Sequence, residues 1–189
     1  MVMTIPTALT WFRIALIPVF TVTFYLPVEW SHFATALVFS IAAITDWLDG
    51  HLARKLSQTS AFGAFLDPVA DKLMVAVALV LLVQSEPTPW LAIPAIVIIG
   101  REIAISALRE WMAGIGKNAA VAVNKIGKIK TTFQITALIM LLYHNPLLGI
   151  PVRELGYIAL YIAAALTLWS MAIYLRVAWP LLNDNHPCK

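Results

Sequence analysis

Residues 44–71 read ITDWLDGHLARKLSQTSAFGAFLDPVAD, and this stretch sets four aspartates between two apolar runs. Asp46 and Asp49 close the first run, and Asp67 and Asp71 open the second. On helices, acids three or four residues apart share one face. The short link between the runs predicts antiparallel neighbouring helices that direct all four carboxylates at one point. Because ionisable groups in a membrane span are costly and usually functional, this point is the first candidate site.

The chain around this stretch is unusually apolar. Of its 189 residues, 61% are hydrophobic and 12% are charged, and its mean hydropathy is +0.84. Soluble domains carry about 45–50% apolar and about 25% charged residues, so a soluble globule is excluded, as is disorder. The single cysteine, Cys188, excludes a disulfide framework or a CxxC site. We expect one membrane domain over residues 1–189.

Proline, glycine and charged residues divide the sequence into six apolar stretches, each close to the length that crosses a bilayer as a helix. Backbone groups in hydrocarbon must be paired within their own segment. The sequence therefore predicts an all-α membrane protein, a polytopic bundle of about six transmembrane helices with a short N-terminal interfacial segment at 5–11. The first stretch has no cleavage pattern and is expected to be retained. The predicted stretches are 10–26, 33–52, 64–82, 90–108, 126–142 and 155–177.

The distribution of lysine and arginine indicates the orientation. If both termini share one side, the connections on the other side carry only Arg153. We therefore expect both termini to face the cytoplasm. Tryptophans and tyrosines near the predicted span ends are interpreted as interfacial anchors that contact membrane lipids rather than as a platform for bases, so no nucleic-acid partner is expected. The basic residues of the cytoplasmic side are Arg54, Lys55, Arg109, Lys117, Lys125, Lys128, Lys130, Arg176 and Lys189.

Four carboxylates in a low-dielectric place repel one another unless a cation neutralises them. The candidate ligands are carboxylate oxygens, without a set of histidine or cysteine ligands, and such oxygen ligands favour Mg²⁺ or Mn²⁺. Four carboxylates can hold two ions. Asp67 alone has another interpretation, a helix N-cap with Pro68 as the first helical residue. That interpretation leaves the other three acids unexplained.

Small residues and an arginine accompany the acids. Gly50, Ala53 and Gly63 leave room for a phosphate ligand beside the backbone, and the Arg54 guanidinium is a planar donor for phosphate oxygens. Either glycine is also explained by close packing between membrane helices.

The string Asp46-x2-Asp49-Gly50-x2-Ala53-Arg54-x8-Gly63-x3-Asp67-x3-Asp71 matches, at every fixed position, the signature of the CDP-alcohol phosphatidyltransferases, and nearly the whole chain resembles that family. The resemblance implies transfer of the phosphatidyl group from CDP-diacylglycerol to sn-glycerol 3-phosphate, with CMP as the other product. It implies a multi-pass protein of the bacterial inner membrane with a cytoplasmic active site, and it favours a homodimer. It also implies that the four aspartates hold two divalent ions and that Asp71 is the general base.

By the same resemblance, one set of residues lines the CDP-lipid: Thr10, Gly50, Ala53, Arg54 and Gly63. The segment 6–13 resembles a family segment that often has asparagine where Thr7 stands, so a nucleotide contact by Thr7 is left open. The Thr10 hydroxyl could instead bond within its own helix, and Arg13 is interpreted as reaching toward lipid headgroups.

The phosphate of the acceptor requires a second anion site. Candidates on the same side lie on the fourth stretch and at the start of the fifth, where backbone donors, lysines and hydroxyls suit a dianion. Alternatives are an ion pair of Arg101 with Glu102 or Glu110, and a purely topological role for the lysines. The candidates are Arg101, Arg109, Lys128, Lys130 and Thr131.

Three other functions share features with this sequence. The same chemistry with another alcohol, such as serine or inositol phosphate, keeps the metal site. Membrane prenyltransferases also combine aspartates with Mg²⁺, but they have two separated motifs and more spans. A small cation transporter would place its acids near mid-membrane, whereas these lie at span ends.

Overall fold

The computed structural model describes residues 5–56, 61–114 and 125–183. Side chains are described for residues 7–48, 63, 65–114, 129–176, 178 and 179. These ranges form helices joined by short connections, with no named strand, which confirms the all-α prediction. The helices are α1 Ile5–Tyr25, α2 Ser31–Leu56, α3 Ala61–Ser85, α4 Pro89–Gly114, α5 Lys125–Tyr143 and α6 Val152–Asn183.

Four segments of these helices are long and apolar enough to cross a membrane, so the chain is a multi-pass membrane protein. α5 contributes a shorter apolar segment. α3 is comparable in length but carries Asp67, Asp71 and Lys72 within its first half. The four long segments are Thr7–Tyr25, Ser31–Leu48, Pro89–Gly114 and Val152–Arg176.

The first helix has no break between its start and its apolar part. Residues 5–11, expected to form a separate interfacial segment, are the first two turns of α1. Pro6 is the second residue of this helix, where proline removes no intrahelical hydrogen bond. The helix can therefore continue from residue 5 to Tyr25 and carry Thr7, Thr10 and Arg13 on its first three turns.

Five helices meet at fully buried apolar side chains, and α2 adds Phe39 and Ala42 to the same core. Outside this core the surface is also apolar, as expected for helices that face lipid. The five central side chains are Phe20, Leu79, Ile98, Leu138 and Leu160. Large exposed side chains on the outer faces include Ile96, Ile103, Ile158, Leu168 and Trp169.

The bundle has chemically different ends. At one end, Glu86 of the α3–α4 connection pairs with Arg153 at the start of α6, with 2.5 Å between Oε2 and Nη2. On α3, Asp67 precedes Ser85 by 18 residues, which at 1.5 Å per residue is about 27 Å. The signature carboxylates therefore lie at the other end of the bundle.

Candidate active site

Three signature carboxylates, from the second half of α2 and the first half of α3, meet at one point. Asp46, Asp67 and Asp71 each offer an oxygen atom, and these atoms lie within 4.8 Å of one another. Among the described residues, α1 packs against both α2 and α3. Arg13 of α1 lies beside Asp46 of α2 and Asp71 of α3, so α1, rather than direct packing of α2 on α3, joins the acids of the two helices at one end. Oxygen atoms this close form a ligand set for a hard divalent cation.

Arg13 of α1 inserts its guanidinium into this group. Its Nη1 lies 3.0 Å from Asp46 Oδ1 and 3.5 Å from Asp67 Oδ1, and it donates a hydrogen bond to Asp71 Oδ1. The residue is 1% exposed. The prediction that Arg13 reaches toward lipid headgroups is therefore wrong, because the three carboxylates supply the counter-charge that draws the guanidinium inward.

The group of acids and Arg13 is not electrically balanced. One guanidinium faces three carboxylates, so a cluster with all three ionised keeps two negative charges. Asp67 Oδ1 is buried and makes no hydrogen bond to the described residues, although Asp67 also interacts with the Thr10 hydroxyl. An excess of negative charge and an unsatisfied carboxylate oxygen are what a divalent cation would satisfy, so these residues fit a metal site.

Asp67 does not cap a helix. α3 begins at Ala61, so Asp67 lies in its second turn and Pro68 lies inside the helix. The N-cap interpretation is therefore wrong, because that interpretation makes Pro68 the first helical residue and α3 starts seven residues earlier, at Ala61. A proline at this position leaves the carbonyl of residue 64 without its helical N–H partner.

The CDP-lipid candidates are distributed over three helices. Thr10 of α1 is 2% exposed, and its hydroxyl bonds to Asp67 rather than only within its own helix. Gly63 lies in the first turn of α3, and residues 63, 67 and 71 follow one side of that helix at four-residue intervals. The remaining candidates lie on the last turns of α2, and their side chains are outside the described residues: Gly50, Ala53 and Arg54. The side chain of Asp49, the fourth predicted metal ligand, is also outside the described residues.

Two of the predicted acceptor residues are joined by an acid that the sequence did not single out for the site. Lys130 of α5, 5% exposed, pairs with Glu102 Oε1 of α4. Arg101 Nη1 lies 3.2 Å from the same oxygen, and its Nη2 donates to Ser170 Oγ at 2.7 Å. The alternative pairing of Arg101 with Glu102 is thus present. Glu102 brings both cations together, and its single negative charge leaves the group of three side chains with one net positive charge.

Arg109, about two turns after Arg101 on α4, adds a third basic side chain to Arg101 and Lys130. Its Nη2 donates to the Tyr174 hydroxyl, and its guanidinium carbon lies 5.0 Å from the centre of the Tyr174 ring. The Arg101 guanidinium carbon lies 5.8 Å from the same ring. Ser170 and Tyr174 were not predicted from the sequence; their four-residue spacing in an apolar run was the available signal. Lys128 belongs to α5, but its side chain is outside the described residues.

A cavity of about 80 Å³ adjoins the acids. Arg13, Asp46 and Asp71 line it from one direction, and Thr131 and Gln134 of α5 line it from another. Thr131 is one of the predicted acceptor residues, so the cavity joins the carboxylates to one member of that set. Its remaining walls are apolar side chains of α2, α3 and α5.

The fold, the acidic cluster and the adjoining cavity define a candidate site in a membrane protein, with residues that suit a divalent cation. The model of the CDP-alcohol phosphatidyltransferase family matches residues 3–169. The chain belongs to this family, whose members are metal-dependent transferases.

Individual curated relatives match nearly the whole chain. The chain is 54% identical over 181 residues to the CDP-diacylglycerol--glycerol-3-phosphate 3-phosphatidyltransferase of Escherichia coli (strain K12), an alignment that covers 96% of this chain and 98% of the relative. The enzymes of the same name from Shigella flexneri and Shigella boydii serotype 4 (strain Sb227) have the same identity and coverage.

Proposed function

We propose that this protein transfers the phosphatidyl group of CDP-diacylglycerol to sn-glycerol 3-phosphate, which gives phosphatidylglycerol phosphate and CMP. The observation that carries the proposal is that Asp71 and Thr131, the residue after Lys130, line the same cavity. A reacting hydroxyl and the phosphate of the same small molecule can then occupy neighbouring subsites. The name shared by the full-length relatives supports this acceptor.

The reaction we propose is a direct displacement. The primary hydroxyl oxygen of glycerol 3-phosphate forms a bond to the phosphorus that carries the diacylglycerol. The bond from that phosphorus to the oxygen shared with CMP breaks, and CMP leaves with the electron pair. Asp71 lines the cavity and accepts the hydroxyl proton, as a carboxylate can when it lies within hydrogen-bond reach.

The other acids act together with Asp71. Asp46, Asp49, Asp67 and Asp71 would hold two Mg²⁺ or Mn²⁺ ions. When bound, these ions supply charge stabilisation for the phosphoryl oxygens and the departing CMP. Binding of divalent ions beside Asp46, Asp67 and Asp71 would compensate the charge that Arg13 leaves unbalanced.

Residues on three helices would hold the donor. Thr10 is fixed against Asp67, so a donor phosphate near the acids also meets its hydroxyl. Gly50, Ala53 and Gly63 would let the CDP moiety approach the helix backbones, and Arg54 would bind its phosphate oxygens.

Basic residues would hold the acceptor phosphate. Arg101 and Lys130 share Glu102, so neither is fully neutralised by it, and Arg109 lies beside them across Tyr174. Lys128 and Thr131 complete the set that we assign to the glycerol phosphate. We place this end of the bundle and both termini on the cytoplasmic side of the bacterial inner membrane, where both substrates' charged groups are accessible, and we propose a homodimer.

CMP release tests the reaction. Purified protein in detergent is supplied with CDP-diacylglycerol and Mg²⁺, and glycerol 3-phosphate, serine, inositol or inositol phosphate is added separately. We expect CMP only with glycerol 3-phosphate, and none after EDTA. Release with a different alcohol would contradict the acceptor but retain the chemistry, whereas no release with any alcohol would contradict the proposed activity.

Replacing Lys128 and Lys130 together by glutamine is expected to raise the KM for glycerol 3-phosphate. Charge-assisted hydrogen bonds contribute about 1.5–3 kcal/mol each, so the expected increase is about tenfold or more. The KM for CDP-diacylglycerol should change by less than about twofold, because we assign these residues to the acceptor and not to the CDP-lipid. Arg176→Gln, which removes an exposed charge from α6, is the control and should leave both constants unchanged. Equal increases in both constants would contradict a separate acceptor subsite.

A further inference from the structure

Gln134 of α5 is a buried polar residue with an unused acceptor. It is 5% exposed, and its Oε1 has no hydrogen-bond partner among the residues that the structure describes. The side chain lines the cavity that also contains Asp46 and Asp71. Burying an amide oxygen without a donor is unfavourable, so a native protein that does so usually provides the donor from outside the chain.

The position of Gln134 relates it to the proposed acceptor subsite. It follows Lys130 by four residues on α5, so the two lie on the same face and about 6 Å apart along the helix axis. Asp71 contributes to the wall of the same cavity from α3. The amide oxygen therefore shares its cavity with the proposed base and its helix face with a cation proposed to bind phosphate.

The chemistry of the two substrates identifies the missing donor. In glycerol 3-phosphate, the ionised phosphate donates no hydrogen bond, and the primary hydroxyl donates to Asp71. The CDP part of the donor substrate carries hydrogen-bond donors in its ribose hydroxyls and cytosine amine, and the proposed function assigns this part to residues of α1, α2 and α3 rather than to α5. The diacylglycerol part contains ester oxygens, which only accept hydrogen bonds. The secondary hydroxyl of glycerol 3-phosphate is the remaining donor, and it lies between the phosphate and the reacting hydroxyl.

We propose that Gln134 Oε1 accepts a hydrogen bond from the secondary hydroxyl of the acceptor, and that this bond selects a glycerol phosphate over a simpler hydroxyalkyl phosphate. The assignment rests on the proposed function. It makes Gln134 a specificity-determining residue, because the amide is unsatisfied whenever the acceptor lacks the secondary hydroxyl. Sites that hydrogen-bond a substrate hydroxyl reject analogues without it for this reason.

The test compares glycerol 3-phosphate with 3-hydroxypropyl phosphate, which has the same chain length and lacks only the secondary hydroxyl. CMP release gives kcat/KM for each acceptor. We expect the wild-type protein to prefer glycerol 3-phosphate by about tenfold or more. Equal values for the two acceptors in the wild-type protein would overturn the assignment without any variant.

Gln134→Met removes the amide and keeps a similar side-chain volume. We expect the preference to fall to nearly one, through a loss of kcat/KM for glycerol 3-phosphate and little change for the analogue. Gln84→Leu, at the far end of α3, is the control and should keep the wild-type ratio. A Gln134→Met variant that loses activity equally with both acceptors, and so keeps the wild-type preference, would overturn the assignment in favour of a structural role.

The same measurements separate this proposal from the proposed function. No CMP release by the wild-type protein with either acceptor would overturn the reaction and the assignment together. Release with equal efficiency would overturn only the role of Gln134, because the reaction would still occur.

Discussion

Asp71→Asn is expected to decrease kcat by between about 10²- and 10⁴-fold. Asparagine is nearly isosteric with aspartate but cannot take a proton from the attacking hydroxyl. The change also removes one negative charge from the cluster and leaves Arg13 paired with Asp46 and Asp67. CMP release under saturating substrates measures the effect. Glu110→Gln, an exposed acid on α4, is the control and should keep wild-type turnover.

A metal-binding defect is distinguished from loss of a base by two further measurements. If Asp71 is the base, the residual activity of Asp71→Asn should rise with pH, because hydroxide then assists deprotonation of the acceptor. Retained binding of CDP-diacylglycerol at high Mg²⁺ should accompany this rise, because Asp46 and Asp67 remain. Near-normal turnover by Asp71→Asn would contradict the general-base assignment.

Hydropathy was sufficient to predict the helices but not their ends. The stretches predicted at 33–52 and 155–177 lie within α2 Ser31–Leu56 and α6 Val152–Asn183. The helices are longer because hydrogen bonding within a helix continues past the apolar segment into polar sequence. Pro68 was also misleading as a signal for the start of a helix, because it lies inside α3. Other groups can compensate the hydrogen bond that a proline removes from a membrane helix.

Side-chain spacing predicted which acids share a face, but it could not identify partners on other helices. Arg13 precedes Asp71 by 58 residues, and Glu102 precedes Lys130 by 28. Such pairs depend on how helices pack, which the local pattern does not specify. The excess of aspartate over nearby cations in 44–71 was a usable signal, because it required a positive group from elsewhere in the chain.

Gln134 was missed for a different reason. A glutamine in an apolar helix has no distinctive spacing, and a hydrogen bond to a neighbouring helix would satisfy it without any function. Its significance depends on the cavity and on the missing donor, which are properties of the folded chain.

Arg13→Gln is expected to destabilise the protein most strongly when divalent metal is absent. The guanidinium is buried against three carboxylates, so its removal leaves their charges uncompensated. Breaking a buried ion pair costs about 3–5 kcal/mol. The lower figure applies here, because the three acids are 35–43% exposed and partly screened by solvent. Thermal unfolding in detergent with EDTA measures this loss.

The effect of Mg²⁺ on the Tm of Arg13→Gln and of the wild-type protein tests whether metal and Arg13 act on the same carboxylates. Arg13 and a divalent ion compensate the same carboxylates, so each should matter more when the other is missing. We expect added Mg²⁺ to raise the Tm of Arg13→Gln by more than it raises the Tm of the wild-type protein. Arg176→Gln removes an exposed cation and should respond as the wild-type protein does. An equal Mg²⁺ response in Arg13→Gln and wild type would show that the arginine and the metal act on different groups, and would contradict a metal site at Asp46, Asp67 and Asp71.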